Sequence, residues 1–287
     1  MLKNDIKVII QQFFKRLNIS MTLIKKDFDS AAIHDFRVDV KKLRSFIKLL
    51  ALEPKAAKDL MLPPGIKKLY TLCGKIRDIQ LQQLRMKEAF KDYNQLDEYE
   101  NLLNNEMNRW MKKVNIALRY RPLLDAEQKL PGNLPDRLSR GSIQQFFKQK
   151  KENMCTIISV GFFIDDELHS IRKNIKDIIY INKLLVGNVG MPVKAMQWDK
   201  AEIKRAELLA QELGRYNDYC FALSFLKSDR LKTIKSKERK SIQIIRKEWK
   251  LEKRLKRKEI IASLPAYSFL FPVLANLPAA VAKRVKI

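Results

Sequence analysis

The sequence predicts an all-α protein, and three observations carry that reading. Glycine (8) and proline (10) are scarce in 287 residues, while Leu, Ile, Lys, Glu and Gln are abundant. Apolar positions recur at three- and four-residue spacing over long stretches, without the alternation of strands. Two segments repeat each other in order, which points to two pseudo-symmetric, antiparallel four-helix bundles arising from an internal duplication.

Helical patterning runs from about Leu2 to Phe28, Ala31 to Leu52, Pro64 to Phe90 and Tyr93 to Tyr120, with Pro54 and Leu62-Pro63-Pro64-Gly65 as punctuation. Residues 1–120 therefore read as a first four-helix half. Pro122, Pro131, Gly132, Pro135 and Gly141 mark 121–142 as a connecting segment. A second half, 143–263, follows as Ile143 to Ile164, Asp166 to Leu185, Val193 to Lys227 and about Asp229 to Ser263. Residues 264–287 form an apolar, proline-containing tail.

The repeat is visible in the residues. His34 and His169, the only histidines, each open the second helix of a half. HDFRVDVKKLRSFIKLL from His34 and HSIRKNIKDIIYINKLL from His169 share the histidine, Arg37 or Arg172, Lys41 or Lys176, Lys48 or Lys183, and the closing Leu-Leu. In the third helices, LCGKIRD (Leu72 to Asp78) matches ELGRYND (Glu212 to Asp218) through Gly74 with Gly214 and Asp78 with Asp218.

On a helical wheel, Ile33, Phe36, Val40, Leu43, Ile47 and Leu50 make one apolar face. His34, Arg37, Lys41, Arg44 and Lys48 form a basic row beside it, about 21 Å long at 1.5 Å per residue. Asp35 and Asp39 lie on another face with Lys42, within reach of i,i+3 pairing. A solvated face ordinarily mixes signs, and like charges three or four residues apart cost a helix about 0.2 to 0.5 kcal/mol per pair. A single-sign row therefore invites an anion along it. The second helix repeats the layout with His169, Arg172, Lys176 and Lys183, while Ile179 stands opposite Arg44. Each histidine has two readings, a packing residue at a helix start or a ligand contact; their place at the head of a basic row favours the second.

A net charge of +26 and a pI near 9.9 exceed what solubility requires, so an anionic partner is expected. Nucleic acid, an acidic membrane surface and polyphosphate all meet that first test. Cys73, Cys155 and Cys220 form no CxxC pair and no disulfide framework, and two histidines offer no metal-ligand set. No nucleophile with a base, phosphate-binding glycine loop or paired-carboxylate motif is read, so neither catalysis nor a cofactor is expected. The N-terminus carries no secretion signal, and a reducing cytoplasm suits the cysteines.

The histidine followed by Arg and Lys at helical spacing, the LCGKIRD-like motif and the repetition of both resemble the CHAD family, the conserved histidine α-helical domain, over about Ile6 to Ser263. That resemblance implies two pseudo-symmetric helical bundles that bind inorganic polyphosphate in a basic groove formed by the two histidine-headed helices, without catalysis. It nominates His34, Arg37, Lys41, Arg44, Lys48, His169, Arg172, Lys176 and Lys183 as polyphosphate-binding residues, with Arg77 a weaker candidate. Gln80 stands where the family often has a second acid, and Asp177 and Ile179 replace basic residues of the second motif, so the second row is expected to contribute less. The ExExK motif of the triphosphate-cleaving domain that often accompanies the family is not found. The alternative is a nonspecific nucleic-acid binder using the same surface, with nucleic acid as a competitor ligand. A cytoplasmic place, with polyphosphate granules as a site of association, follows the same implication.

Two features lie outside the motif. Between Lys235 and Lys258, twelve Lys or Arg face three Glu, which reads as an amphipathic last helix with a solvated basic side. From Ile260 to Ala282 no charge appears, a stretch long enough to span a bilayer. Pro265, Pro272 and Pro278 argue against a helix there. Docking of the tail on the bundle or a partner surface is expected in preference to peripheral membrane contact.

Overall fold

The computed structural model describes residues 1–57, 60–90, 96–189 and 199–271. These form α1 (Lys3–Asp27), α2 (Ser30–Leu50), α3 (Pro64–Ala89), α4 (Asp97–Arg119), α5 (Pro122–Lys129), α6 (Arg140–Val160), α7 (Asp165–Val189), α8 (Lys200–Phe225) and α9 (Ser236–Ser263), with 3-10 turns at Leu130–Asn133, Ser228–Leu231 and Leu264–Tyr267. The described residues contain no strand, only an isolated bridge between Leu2 and Arg137. The all-α class is thus the observed one.

The chain divides into two compact units. One comprises Met1–Ser142 together with Leu231–Ser241; the other comprises Ile143–Arg230 and the chain from Ile242 onward. In the first unit α1 packs on α2, α2 on α3 and α3 on α4, with α5 against α1 and α3. The apolar face of α2 lies where its periodicity puts it: Ile33, Phe36, Val40, Leu43, Ile47 and Leu50 are all buried. Burial of each such side chain contributes about 1.5 to 3 kcal/mol. In the second unit α7 packs on α8, and Ile171, Ile175, Ile178 and Leu185 form the equivalent buried stripe.

Local chemistry explains the helix ends. Phe28 closes α1 in the left-handed region (φ 56°), its N–H on the Ile24 carbonyl, and Asp29 then caps α2 by accepting from the Ala32 N–H at 2.6 Å. The expected start of α8 at Val193 lies outside the described residues; its described start is set by a capping box, Asp199 accepting from the Glu202 N–H and Glu202 from the Asp199 N–H. The expected start of α4 at Tyr93 also lies outside them.

The segment 121–142 differs from a plain connection. Pro122 fits the first position of a helix, and the Leu-Leu-Asp-Ala-Glu-Gln-Lys that follows has no breaker, so α5 forms and buries Leu123 and Ala126. Leu130, Leu134 and Leu138 are buried as well. Glu53 secures the segment, accepting from the Ser139 N–H at 2.5 Å. Burial opposes ionisation of that carboxyl, but the Ser139 and Ser142 hydrogen bonds and Arg137 prevail and hold it below the usual glutamate range.

At the start of α4, Leu96 supplies no side-chain cap. Glu238, in the first turn of α9, does so instead, accepting from the N–H groups of Glu98 (3.1 Å) and Tyr99 (3.2 Å). Glu98 in turn accepts from the Lys235 N–H at 2.6 Å and pairs with its Nζ at 2.7 Å. In the other unit, Leu264, Leu270 and Phe271 are buried. The Arg205 guanidinium donates to the Ala266 carbonyl and stands over the Tyr267 and Phe269 rings at 5.9 and 4.7 Å. The tail thus begins by docking on its own unit; residues 272–287 lie outside the described residues. Among the described residues no helix is long and apolar enough to cross a membrane.

Candidate functional site

The α2 row presents its members unequally. His34 and Lys48 are exposed, and Arg37, Lys41 and Arg44 are half-buried. Of the two acids of this helix, Asp39 is buried, receiving Arg16 of α1 at 3.3 Å and Lys42 at 3.6 Å, while Asp35 is exposed and near enough to His34 to act on its charge. Arg37 reaches onto α3, donating from NH1 to the Tyr70 carbonyl at 3.0 Å, with its guanidinium 4.6 Å from the Tyr70 ring centre. Arg44 approaches the same ring at 5.9 Å, and its Nε is buried without an acceptor among the described residues. Arg77, on α3, donates to the Ser30 Oγ and to the Ser30 carbonyl at 3.4 Å, which ties it to the first turn of α2.

In α7, His169, Arg172 and Lys176 are half-buried and Lys183 is exposed. Arg172 donates from Nε to the Ala210 carbonyl of α8 at 3.2 Å. Lys176 lies 5.6 Å from the Tyr180 ring centre. Lys183 is paired with Glu207 at 2.5 Å, so this member of the expected row is answered by a carboxylate of α8. The two departures of the second motif have structural explanations. Ile179 is 2 % exposed and belongs to the core, and Asp177 is buried against Lys150 of α6 at 2.7 Å.

Both histidines are held below the ordinary imidazole value. For His34 the loss of solvent counts most, followed by the Arg77 charge, with Lys41 and Arg37 adding and Asp35 opposing. For His169 burial again leads, then Lys173 and Arg172, against a hydrogen bond with Asn217 and the Asp166 charge. Its Nδ1 is buried and meets no partner among the described residues. In the unliganded protein both rings are therefore mainly neutral at pH 7, and an anion laid along either row favours their protonation.

Other reactive side chains are structural ties. Burial pushes the Cys73 thiol up to about 12 and also raises Cys220. Tyr216 donates to Asp165, which also receives Lys253 at 2.5 Å, linking α8, α7 and α9. No trio of His, Cys, Asp or Glu that could hold a metal occurs among the described residues.

Sequence reasoning missed Tyr70, the platform under Arg37 and Arg44, and Asn217, the partner of His169. Asn217 occupies the place of Arg77 in the repeated motif, which was the available signal. Tyr70 left none, since Ala210 stands at the matching place.

A sequence model of the CHAD domain matches residues 8–227. No curated protein matches the sequence. Among solved structures, the crystal structure of the CHAD domain from the plant Ricinus communis is similar at a TM-score of 0.70 and 18% identity, covering 97% of this chain and 93% of that one.

Proposed function

The chain belongs to the CHAD domain family, and from that premise we propose that it binds linear inorganic polyphosphate through the basic rows of α2 and α7, as a binder without catalysis. The observation that carries the reading is the segregation of charge on α2. His34, Arg37, Lys41, Arg44 and Lys48 follow one line, while Asp39 is buried beneath Arg16 and Lys42. A linear polyanion meets such a line through successive phosphates and gains from counterion release, by shape and charge and without a sequence code. Of the two rows, that of α2 is the fuller, because α7 carries the buried Ile179 where α2 has Arg44. A cytoplasmic place, at polyphosphate granules, belongs to the same reading.

The test is competition binding of polyphosphate, duplex DNA and RNA at matched phosphate concentration and physiological salt. Polyphosphate is expected to win; preference for either nucleic acid overturns the proposal in favour of a nonspecific nucleic-acid binder. Lys41→Glu combined with Lys48→Glu is expected to lower polyphosphate affinity by at least about tenfold with helical content unchanged. Affinity is expected to fall linearly in a log–log plot against salt, by about 0.7 per neutralised phosphate if polyphosphate behaves as a single strand.

A further inference from the structure

Arg37 and Arg172 sit in the two basic rows, but their heads point at a neighbouring helix in the same way. Arg37 donates to the Tyr70 carbonyl and Arg172 to the Ala210 carbonyl, in each case the residue four before a motif glycine, Gly74 or Gly214. Both glycines are buried in mid-helix, where glycine weakens a helix relative to alanine. The space a side chain would need is occupied. A Cβ on Gly74 would lie 1.9 Å from Arg37 NH1 and 2.9 Å from its Cζ, and one on Gly214 would lie 3.2 Å from Arg172 Nε and 3.3 Å from its NH2. The glycines are therefore seats for guanidinium groups, and the arrangement occurs once in each unit.

Resting on the polyphosphate reading, we infer that Arg37 and Arg172 are positioning residues: clasped over Gly74 and Gly214, they lock the histidine helix against the helix that follows and so aim the remaining cations of its row. The guanidinium suits this task because its plane can lie flat on a helix backbone and a tyrosine ring while an edge N–H reaches a carbonyl. A lysine ammonium carries the same charge but cannot make that contact. Gly74 and Gly214 then govern polyphosphate affinity without touching the ligand. The clasp on Gly74 is the tighter of the two and the more sensitive to an added methyl group.

The experiment measures polyphosphate affinity, urea unfolding and helical content for the full chain and for Gly74→Ala, Gly214→Ala, Arg37→Lys, Arg37→Ala and Arg37→Ala with Gly74→Ala. Gly74→Ala changes no charge, yet is expected to weaken binding about tenfold, within the coupling range of residues in contact. Gly214→Ala is expected to weaken it less. Arg37→Lys should bind as weakly as Arg37→Ala, and the double variant no more weakly than Arg37→Ala alone. Three results would overturn the inference: Gly74→Ala binding as tightly as the parent or more so, Arg37→Lys retaining parental affinity, or additive losses in the double variant. If the parent chain itself fails to bind polyphosphate, the functional reading falls and the aiming role with it. The clasp is then judged by unfolding alone, where additivity of Arg37→Ala and Gly74→Ala refutes it and non-additivity upholds it.

Discussion

Replacing Asp177 by alanine should destabilise the second unit severely, and the size of the effect follows from the geometry. The Asp177 and Lys150 side chains are 8 % and 13 % exposed and meet at 2.7 Å, joining α6 to α7. Removing one partner of a buried pair typically costs about 3 to 5 kcal/mol, because the surviving charge stays out of water. The lysine stem is flexible and the ammonium retains some access to solvent, which brings the expectation to about 2 to 4 kcal/mol. A domain's whole stability is only about 5 to 15 kcal/mol. With a urea dependence of about 2 kcal/mol per molar, the midpoint should fall by about 1 to 2 M. Equilibrium unfolding followed by fluorescence of Trp249, buried in that unit, provides the assay once Trp110 and Trp198 are replaced by phenylalanine. The companion variant, Lys150→Met with Asp177→Leu, should remain within about 1 kcal/mol of the parent or exceed it, since no charge is then stranded. A loss below about 1 kcal/mol for Asp177→Ala, or a double variant as unstable as the single one, would refute the reasoning.

Glu53 has a folded-state pKa below that of an ordinary glutamate. Its stabilisation is therefore complete above the ordinary value and lost as pH falls through the lowered one; Glu53→Gln should flatten that acid limb in a pH series of thermal unfolding. Gly187, helical and with nothing among the described residues within 4 Å of an added Cβ, should accept alanine with a gain of about 0.5 to 1 kcal/mol, read by urea midpoint. Glu238→Ala strips the cap from α4 and should cost about 1 kcal/mol, visible as faster amide exchange at Glu98 and Tyr99. Because His34 and His169 are held low in the unliganded protein, polyphosphate binding near pH 6 should take up protons and tighten as pH falls from 8 to 6. Calorimetry in buffers of different ionisation enthalpy tests this, and buffer-independent heats would contradict histidine involvement.

Helix placement was legible because it rests on local information. The α2 stripe from Ile33 to Leu50 followed from periodicity alone, and the i,i+3 pair of Asp39 with Lys42 from spacing. The interior of 121–142 was not, because its prolines and glycines dominate the pattern; Pro122 opens a helix, since the first helical position needs no N–H donor. The capping box of Asp199 and Glu202 was present in the residues and outweighed by the longer apolar pattern from Val193. The basic rows could be drawn on a wheel, but a wheel gives the direction in which a side chain leaves its helix and not where its head arrives. Arg37 and Lys41 look equivalent on it, yet Arg37 ends on the α3 backbone. The pairing of Lys183 with Glu207 joins residues of different helices, so no spacing rule could have shown it.

The chain passes from the first unit to the second after Ser142, returns at Leu231 and leaves again after Ser241. During synthesis, the start of α4 emerges long before the acid that closes it, for Glu238 follows Glu98 by 140 residues. A nascent chain halted anywhere before that point holds an unfinished first unit with two bare amides. Expression of residues 1–142 alone should yield a fragment whose α4 frays, and supplying the 231–241 strip as a separate peptide is the rational complement.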